Sequence, residues 1–219
     1  MNAMDKNLYP FFWCLILWCG SATSLVGQDL WGHFATNPSR SVGKIETYDA
    51  ENHLQWYGVL RYDQRHKDMS AVMYDAEDQL SSFSLVEEDR KGRPKKIKNF
   101  DSDHELINYT VMKYDLQGRV KSRTYFDRNN RLRLTIMHFY DSQGKLYRTE
   151  WSHKNQRIFR YGEIEYDRDG EKVKTSWYHP NGDLSAFFEY NYDENGKLLR
   201  KNMYKSDGSL WNYYVFGYQ

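Results

Sequence analysis

A turn signature, aromatic-Asp-x-x-Gly-x-Leu, recurs thirteen times along this chain, and its spacing alternates 14, 12, 14, 12. Its leading positions are Tyr48, Tyr62, Tyr74, Glu88, Phe100, Tyr114, Phe126, Tyr140, Ser152, Tyr166, Tyr178, Tyr192 and Tyr204. Ten are followed by Asp, and the fourth turn position is Gly in Gly92, Gly118, Gly144, Gly170, Gly182, Gly196 and Gly208. Two turns make one full period, and a period held this strictly marks a repeat architecture.

The chemistry of the signature predicts its local structure. Asp at the first turn position accepts hydrogen bonds from backbone groups two residues on. Gly at the fourth takes the left-handed conformation of a type I turn with a bulge. The aromatic before Asp then lies across from the Leu after Gly. Between turns there is room for one strand, so successive turns fall at opposite ends. The sequence therefore predicts an all-β fold: an elongated antiparallel meander of about thirteen strands, built from 26-residue double-hairpin repeats as a single-layer or curled sheet. The 19 Tyr, 11 Phe and 7 Trp favour strands, and there are only four Pro. No Pro/Gly/Ser-rich linker breaks the ladder. Residues 29–219 read as one domain, with a degenerate first unit at 29–47 and regular repeats from 48.

The N-terminus has the layout of a secretory signal, residues 1–28. Lys6 precedes an apolar run from Phe11 to Cys19, and Gly20-Ser-Ala-Thr-Ser24 follows. The run is short for a membrane span, so an uncleaved signal is the sole membrane route expected. The expected location is secreted, periplasmic or on the outer surface. Both cysteines, Cys14 and Cys19, fall inside the signal, which excludes disulfide and thiol chemistry from the processed chain.

Charge is unevenly spread. Residues 29–90 carry six Lys and Arg against twelve Asp and Glu, whereas residues 91–133 carry twelve against five. The basic segment includes Arg119, Arg123 and Arg131 and could attract an anionic polymer. The plainer reading is a solvated face opposite acidic neighbours such as Glu87, Glu88 and Asp89. Stepping by one full period gives two columns. Leu54, Leu80, Leu106, Leu132, Ile158, Leu184 and Leu210 are aliphatic. Tyr57, Phe83, Tyr109, Thr135, Tyr161, Phe187 and Tyr213 are aromatic at all but Thr135. Their opposite parity places them on opposite faces of a regular strand. The aromatic column either packs or presents rings to a repeating ligand, and Tyr57, Phe83, Tyr109, Tyr161, Phe187 and Tyr213 are its candidate binding residues.

Catalytic signals are absent. His66 and His104 occupy turn glycine positions, and His153 and His179 occupy turn Asp positions. No metal-binding or phosphate-loop motif occurs, so no cofactor, metal or enzymatic activity is expected. Tyr190-Asn-Tyr192-Asp193-Glu-Asn-Gly196-Lys-Leu198 resembles the tyrosine-aspartate (YD, Rhs-type) repeat of bacterial surface and toxin-associated proteins. Tyr178-His-Pro-Asn-Gly182-Asp-Leu184 resembles the bacterial variant of the MORN repeat. Both resemblances imply strand-turn-strand ladders that bind, scaffold or encapsulate. The function expected is a non-catalytic binding module for a protein or polysaccharide partner, with no nucleic acid. A structural cell-envelope component is the alternative, and a cytosolic antitoxin-like MORN-variant protein a further one.

Overall fold

The computed structural model describes residues 42–63 and 68–218. The signal sequence, residues 29–41 of the degenerate unit and the turn at 64–67 with His66 lie outside these residues. The chain runs through β1 (Val42–Asp49), β2 (Leu54–Asp63), β3 (Asp68–Asp75), β4 (Leu80–Glu88), β5 (Pro94–Asp101), β6 (Leu106–Tyr114) and β7 (Val120–Asp127). It continues through β8 (Leu132–Tyr140), β9 (Leu146–His153), β10 (Ile158–Tyr166), β11 (Lys172–Tyr178), β12 (Leu184–Tyr192), β13 (Leu198–Lys205) and β14 (Leu210–Tyr218).

The turns form as their chemistry requires. One Asp49 carboxylate oxygen accepts from the backbone N–H of Glu51 at 3.0 Å and of His53 at 2.8 Å. Asp75, Asp89, Asp101, Asp127, Asp141, Asp167 and Asp193 repeat this pair of bonds. Where His153 or His179 stands in the Asp position, Asn155 or Asn181 supplies the acceptor from two residues on. The fourth turn position has positive φ whether it is Gly182 (93°), Gly196 (70°), Asn130 (61°) or His104 (64°). Tyr74 pairs with Leu80, Tyr114 with Val120 and Tyr192 with Leu198, the expected cross-strand partners.

The sheet is not an open meander. It is a closed barrel of fourteen strands, each paired with its sequence neighbours and β1 paired with β14. The extra strand is β1, which precedes the first turn signature and was hidden in the degenerate unit. Two physical terms close the ring. Twist and a register shift beside most of the turns curl so long a sheet, and closure removes both unpaired edges.

Residues directly opposite across a ladder share a face. One face carries Ile45, Met73, Val86, Ile97, Met112, Ile136, Trp177, Phe188, Met203 and Phe216, all buried. This is the interior. The other face carries Lys44, Glu46, Lys98, Arg148, Glu163, Lys174, Glu189 and Arg200, and is the outer wall.

The two sequence columns do not lie on opposite faces. Tyr48 pairs with Leu54 and Glu46 with Tyr57, and Glu46 and Tyr48 are both outward on β1. The register shift between Thr47 and Tyr48 accommodates one extra residue on β2, Gln55, which resets the parity of everything beyond it. Both columns face outward.

The two ends of the barrel differ in the same manner. At one end the turn aromatics point out and stack in pairs. At the other, Tyr114, Tyr140, Tyr166, Tyr192 and Tyr218 point in. Each donates its hydroxyl proton to a backbone carbonyl twenty residues earlier: Pro94, Val120, Leu146, Lys172 and Leu198, at 2.6–2.9 Å. Burial raises the phenol of Tyr166 to about 12 and lifts that of Tyr192 as well.

Candidate binding surfaces

The outer aromatic column forms a belt around one end. Its rings stack on cross-strand partners: Tyr57 on Tyr74, Phe83 on Phe100, Tyr109 on Phe126, Tyr161 on Tyr178, Phe187 on Tyr204 and Tyr213 on Tyr48. Centroid separations are 4.9–5.1 Å. Five of these rings also carry a cation: Lys44 over Tyr57, Lys96 over Tyr109, Arg148 over Tyr161, Lys174 over Phe187 and Arg200 over Tyr213. Each such cation stands one strand before its ring and the stacked partner one strand after. The ring faces are therefore covered, and edges are what the belt presents. Three hydroxyls are also engaged: Tyr57 donates to Asp78, Tyr109 to Asn130 and Tyr213 to Asn52. At the seventh place Thr135 pairs with Ser152 and the belt is interrupted.

Above the belt, outward charges pair along and across strands. Arg148 reaches Glu150 at 2.9 Å and Glu163 at 3.3 Å, and Lys98 reaches Glu87. A lipid-facing barrel needs an apolar band about 25 Å tall. These charges occupy that band.

The basic segment is dispersed rather than gathered. Arg119 lies at the start of β7, bonds Asp115 at 2.7 Å and covers the Tyr140 ring. Arg131 lies beyond the far end of β7, exposed, its N–H on Asp127. Arg123 faces the interior, opposite Met112 and Ile136. In the acidic neighbourhood, Asp89 is held down to about 2 by the Arg93 side-chain hydrogen bond.

The interior divides into sectors. One apolar cluster joins Ile45, Met73, Trp177, Phe188, Met203 and Phe216, from β1, β3 and β11–β14. A second joins Ala71, Val86, Ile97 and Met112, from β3–β6. Between them the wall of β7–β10 is of another kind. Leu134, His138, Thr149, Trp151 and Ile164 are half-buried there, so water reaches this sector. Both ring nitrogens of His138 are buried without a hydrogen-bond partner, and so is Arg160 Nη1. Burial, with the nearby Arg123 charge adding to it, pushes the His138 imidazole down to about 3, so it is neutral at physiological pH. Arg160 is only 7 % exposed. Its guanidinium lies 5.4 Å from the Trp151 ring centre and 5.2 Å from that of Trp177, and Nη2 donates to Ser185 Oγ at 3.2 Å. Burial lowers Arg160 to about 10, which leaves it charged. Among the described residues, inward carboxylates stand only at strand ends, as in Asp49, Asp75, Asp101 and Asp127.

Sequence reasoning missed Arg160 and His138, although the period contained the signal. The interior column through His138 reads Leu60, Val86, Met112, His138, Ile164, Tyr190, Phe216. The column through Arg160 reads Trp56, Ser82, Asn108, Leu134, Arg160, Ala186, Asn212. In each, one basic residue interrupts an uncharged series. Among the described residues no group of three or more His, Cys, Asp and Glu is placed to hold a metal ion.

Fold and surfaces together define a closed antiparallel β-barrel of repeated double hairpins with a charged outer wall and a partly polar interior. No family model matches the chain, and no curated protein matches it. Among solved structures, a porin-like protein from Bacteroides uniformis aligns over 81 % of this chain and 98 % of its own, at 10 % identity and TM-score 0.44. A porin-like protein from Bacteroides vulgatus aligns over the same shares at 11 % identity and TM-score 0.37. A chain of the Photorhabdus luminescens Tc holotoxin pore aligns over 76 % of this chain and 9 % of its own, at 13 % identity and TM-score 0.32. Identities and scores this low define neither a family nor a site.

Proposed function

We propose that this protein is an exported, non-catalytic binding protein of the cell envelope, whose ligand sits inside the barrel against β7–β10. One observation carries the reading: both ring nitrogens of His138 and Nη1 of Arg160 are buried in this sector without hydrogen-bond partners. A buried, unsatisfied donor costs about 1–3 kcal/mol, and the neighbours of His138 in its own column, Met112 and Ile164, are apolar. A wall evolved only to close a barrel has no use for that cost. The signal layout of residues 1–28 supports export, and the outer charges support a wall standing in water.

Native mass spectrometry of protein purified from its own envelope fraction tests this. The expected species begins between residues 23 and 29, lacks both cysteines and carries a small ligand. A full-length polypeptide mass would end the export reading, and a ligand-free species would count against the interior site.

A second reading places a protein or polysaccharide partner on the outer belt. It is favoured by the regular row of ring-bound cations, on alternate strands about 10 Å apart. Retention on cell-wall polysaccharide that disappears in Tyr109→Ala and Tyr161→Ala, with melting little changed, would support it. The covered ring faces predict the opposite: losses of about 3 kcal/mol in stability and no retained polymer.

A further inference from the structure

We propose that Arg160 anchors an interior site for a small monocarboxylate with a planar or apolar body. The inference rests on the interior reading above and adds the ligand's chemical class.

Arg160 is inward on β10, opposite Trp151 of β9. Trp177 of β11 stands beside it, and the two indole centres are 5.8 Å apart at 53°. The guanidinium is thus held against two rings, and no mid-strand carboxylate shares the described interior with it. One of its nitrogens is spent on Ser185 and another is buried without a partner. A guanidinium presents parallel N–H donors that match the two oxygens of a carboxylate.

Gly162 fixes the arrangement. A Cβ there would lie 2.9 Å from Thr149 Oγ1 and 2.9 Å from Trp177 Cδ1. Only glycine lets the Trp177 indole lie down on β10, beside the arginine. The two indoles supply apolar walls for the ligand's body. A neutral His138 on the same wall adds polarity without a second fixed charge, and its column neighbours Met112 and Ile164 are apolar. The cation set between the two indoles, Arg160, suits a monoanion with an apolar body better than a multiply charged phosphate. Arg123, also inward, stands three strands away on β7, opposite Met112 and Ile136.

The indoles also provide the readout. Full-length processed protein is titrated with benzoate, with its neutral isostere benzamide and with inorganic phosphate, while tryptophan fluorescence and the melting temperature are followed. We expect saturable benzoate binding that raises the melting temperature and is at least tenfold tighter than benzamide, with phosphate inactive. Trp151→Phe should remove most of the fluorescence change. Arg160→Gln should weaken benzoate at least tenfold and leave benzamide unchanged. Arg160→Lys, which keeps the charge but loses the fork, should fall between them and serves if the glutamine variant does not fold. Equal binding of benzoate and benzamide, with Trp151 still reporting, would overturn the carboxylate assignment and leave the interior site standing. Phosphate binding in place of benzoate would overturn it too. No response from any probe would overturn both.

Discussion

Two stretches of one interior wall, β11–β14 and β7–β10, come from the same repeated unit and have the same backbone, yet they do opposite things with it. Over β11–β14 the inward columns hold Trp177, Phe188 and Met203, with Phe188 4 % exposed, and the wall is sealed. Over β7–β10 other inward columns carry Arg123, His138 and Arg160, and the wall is half-open. One or more periods on, their counterparts on β13, β14 and β12 are Lys201, Phe216 and Ala186, and Lys201 lies buried over the Phe188 ring. Turn chemistry fixes where the strands run, while the inward columns vary independently of it. A repeat protein can therefore concentrate stability in one sector and leave recognition to another.

Substitution should separate the two sectors most sharply. Phe188→Ala is expected to cost roughly 3–5 kcal/mol in urea unfolding. Arg160→Met should be neutral or stabilising, because a buried charge without a carboxylate partner gives way to an apolar chain of similar length. Equal losses would show that both sectors are structural.

Acid should discriminate next. The folded His138 titrates near 3 and its ordinary value is 6.5. As pH falls below 6.5 the unfolded chain takes up the proton first, so stability declines until about pH 3, by about 1.4 kcal/mol per unit at most. His138→Leu should flatten that slope between pH 7 and 4.5. Asp89 responds only lower, between about 3.8 and 2.

The two inward glycines should differ by less. Gly162→Ala meets Trp177 and Thr149 and is expected to cost about 1–3 kcal/mol. Gly58→Ala meets Met73 Sδ at 2.6 Å, part of a flexible side chain that can move aside, so its melting point should drop less. Smallest is a test common to both sectors. Gly196→Val, at φ 70°, should lose about 1 kcal/mol, and an unchanged melt would disprove the left-handed turn.

Much of this was legible in the residues. The Asp and Gly of each signature specify the turn, and the Tyr-to-Leu pairing follows from it. Closure was not legible, because β1 carries no turn signature before it and its pairing with β14 joins opposite ends of the ladder. No local pattern records a contact of that span. The face assignment failed at Gln55 and its equivalents: a bulge adds one residue without altering the composition of the strand, and a count by twos runs straight through it. Arg160 and His138 could be recognised as exceptions only once their columns were known to point inward.

The β1–β14 seam makes the molecule a ring, in which no hairpin is first or last except by the accident of where the peptide is cut. Val42 is opposite Tyr218. A short linker between those residues, with new termini opened at the Gly182 turn, should give a circularly permuted chain with the same wall. Conversely, deleting β14 would expose two long strand edges at once, and such a chain should assemble with its own copies rather than remain a slightly smaller barrel.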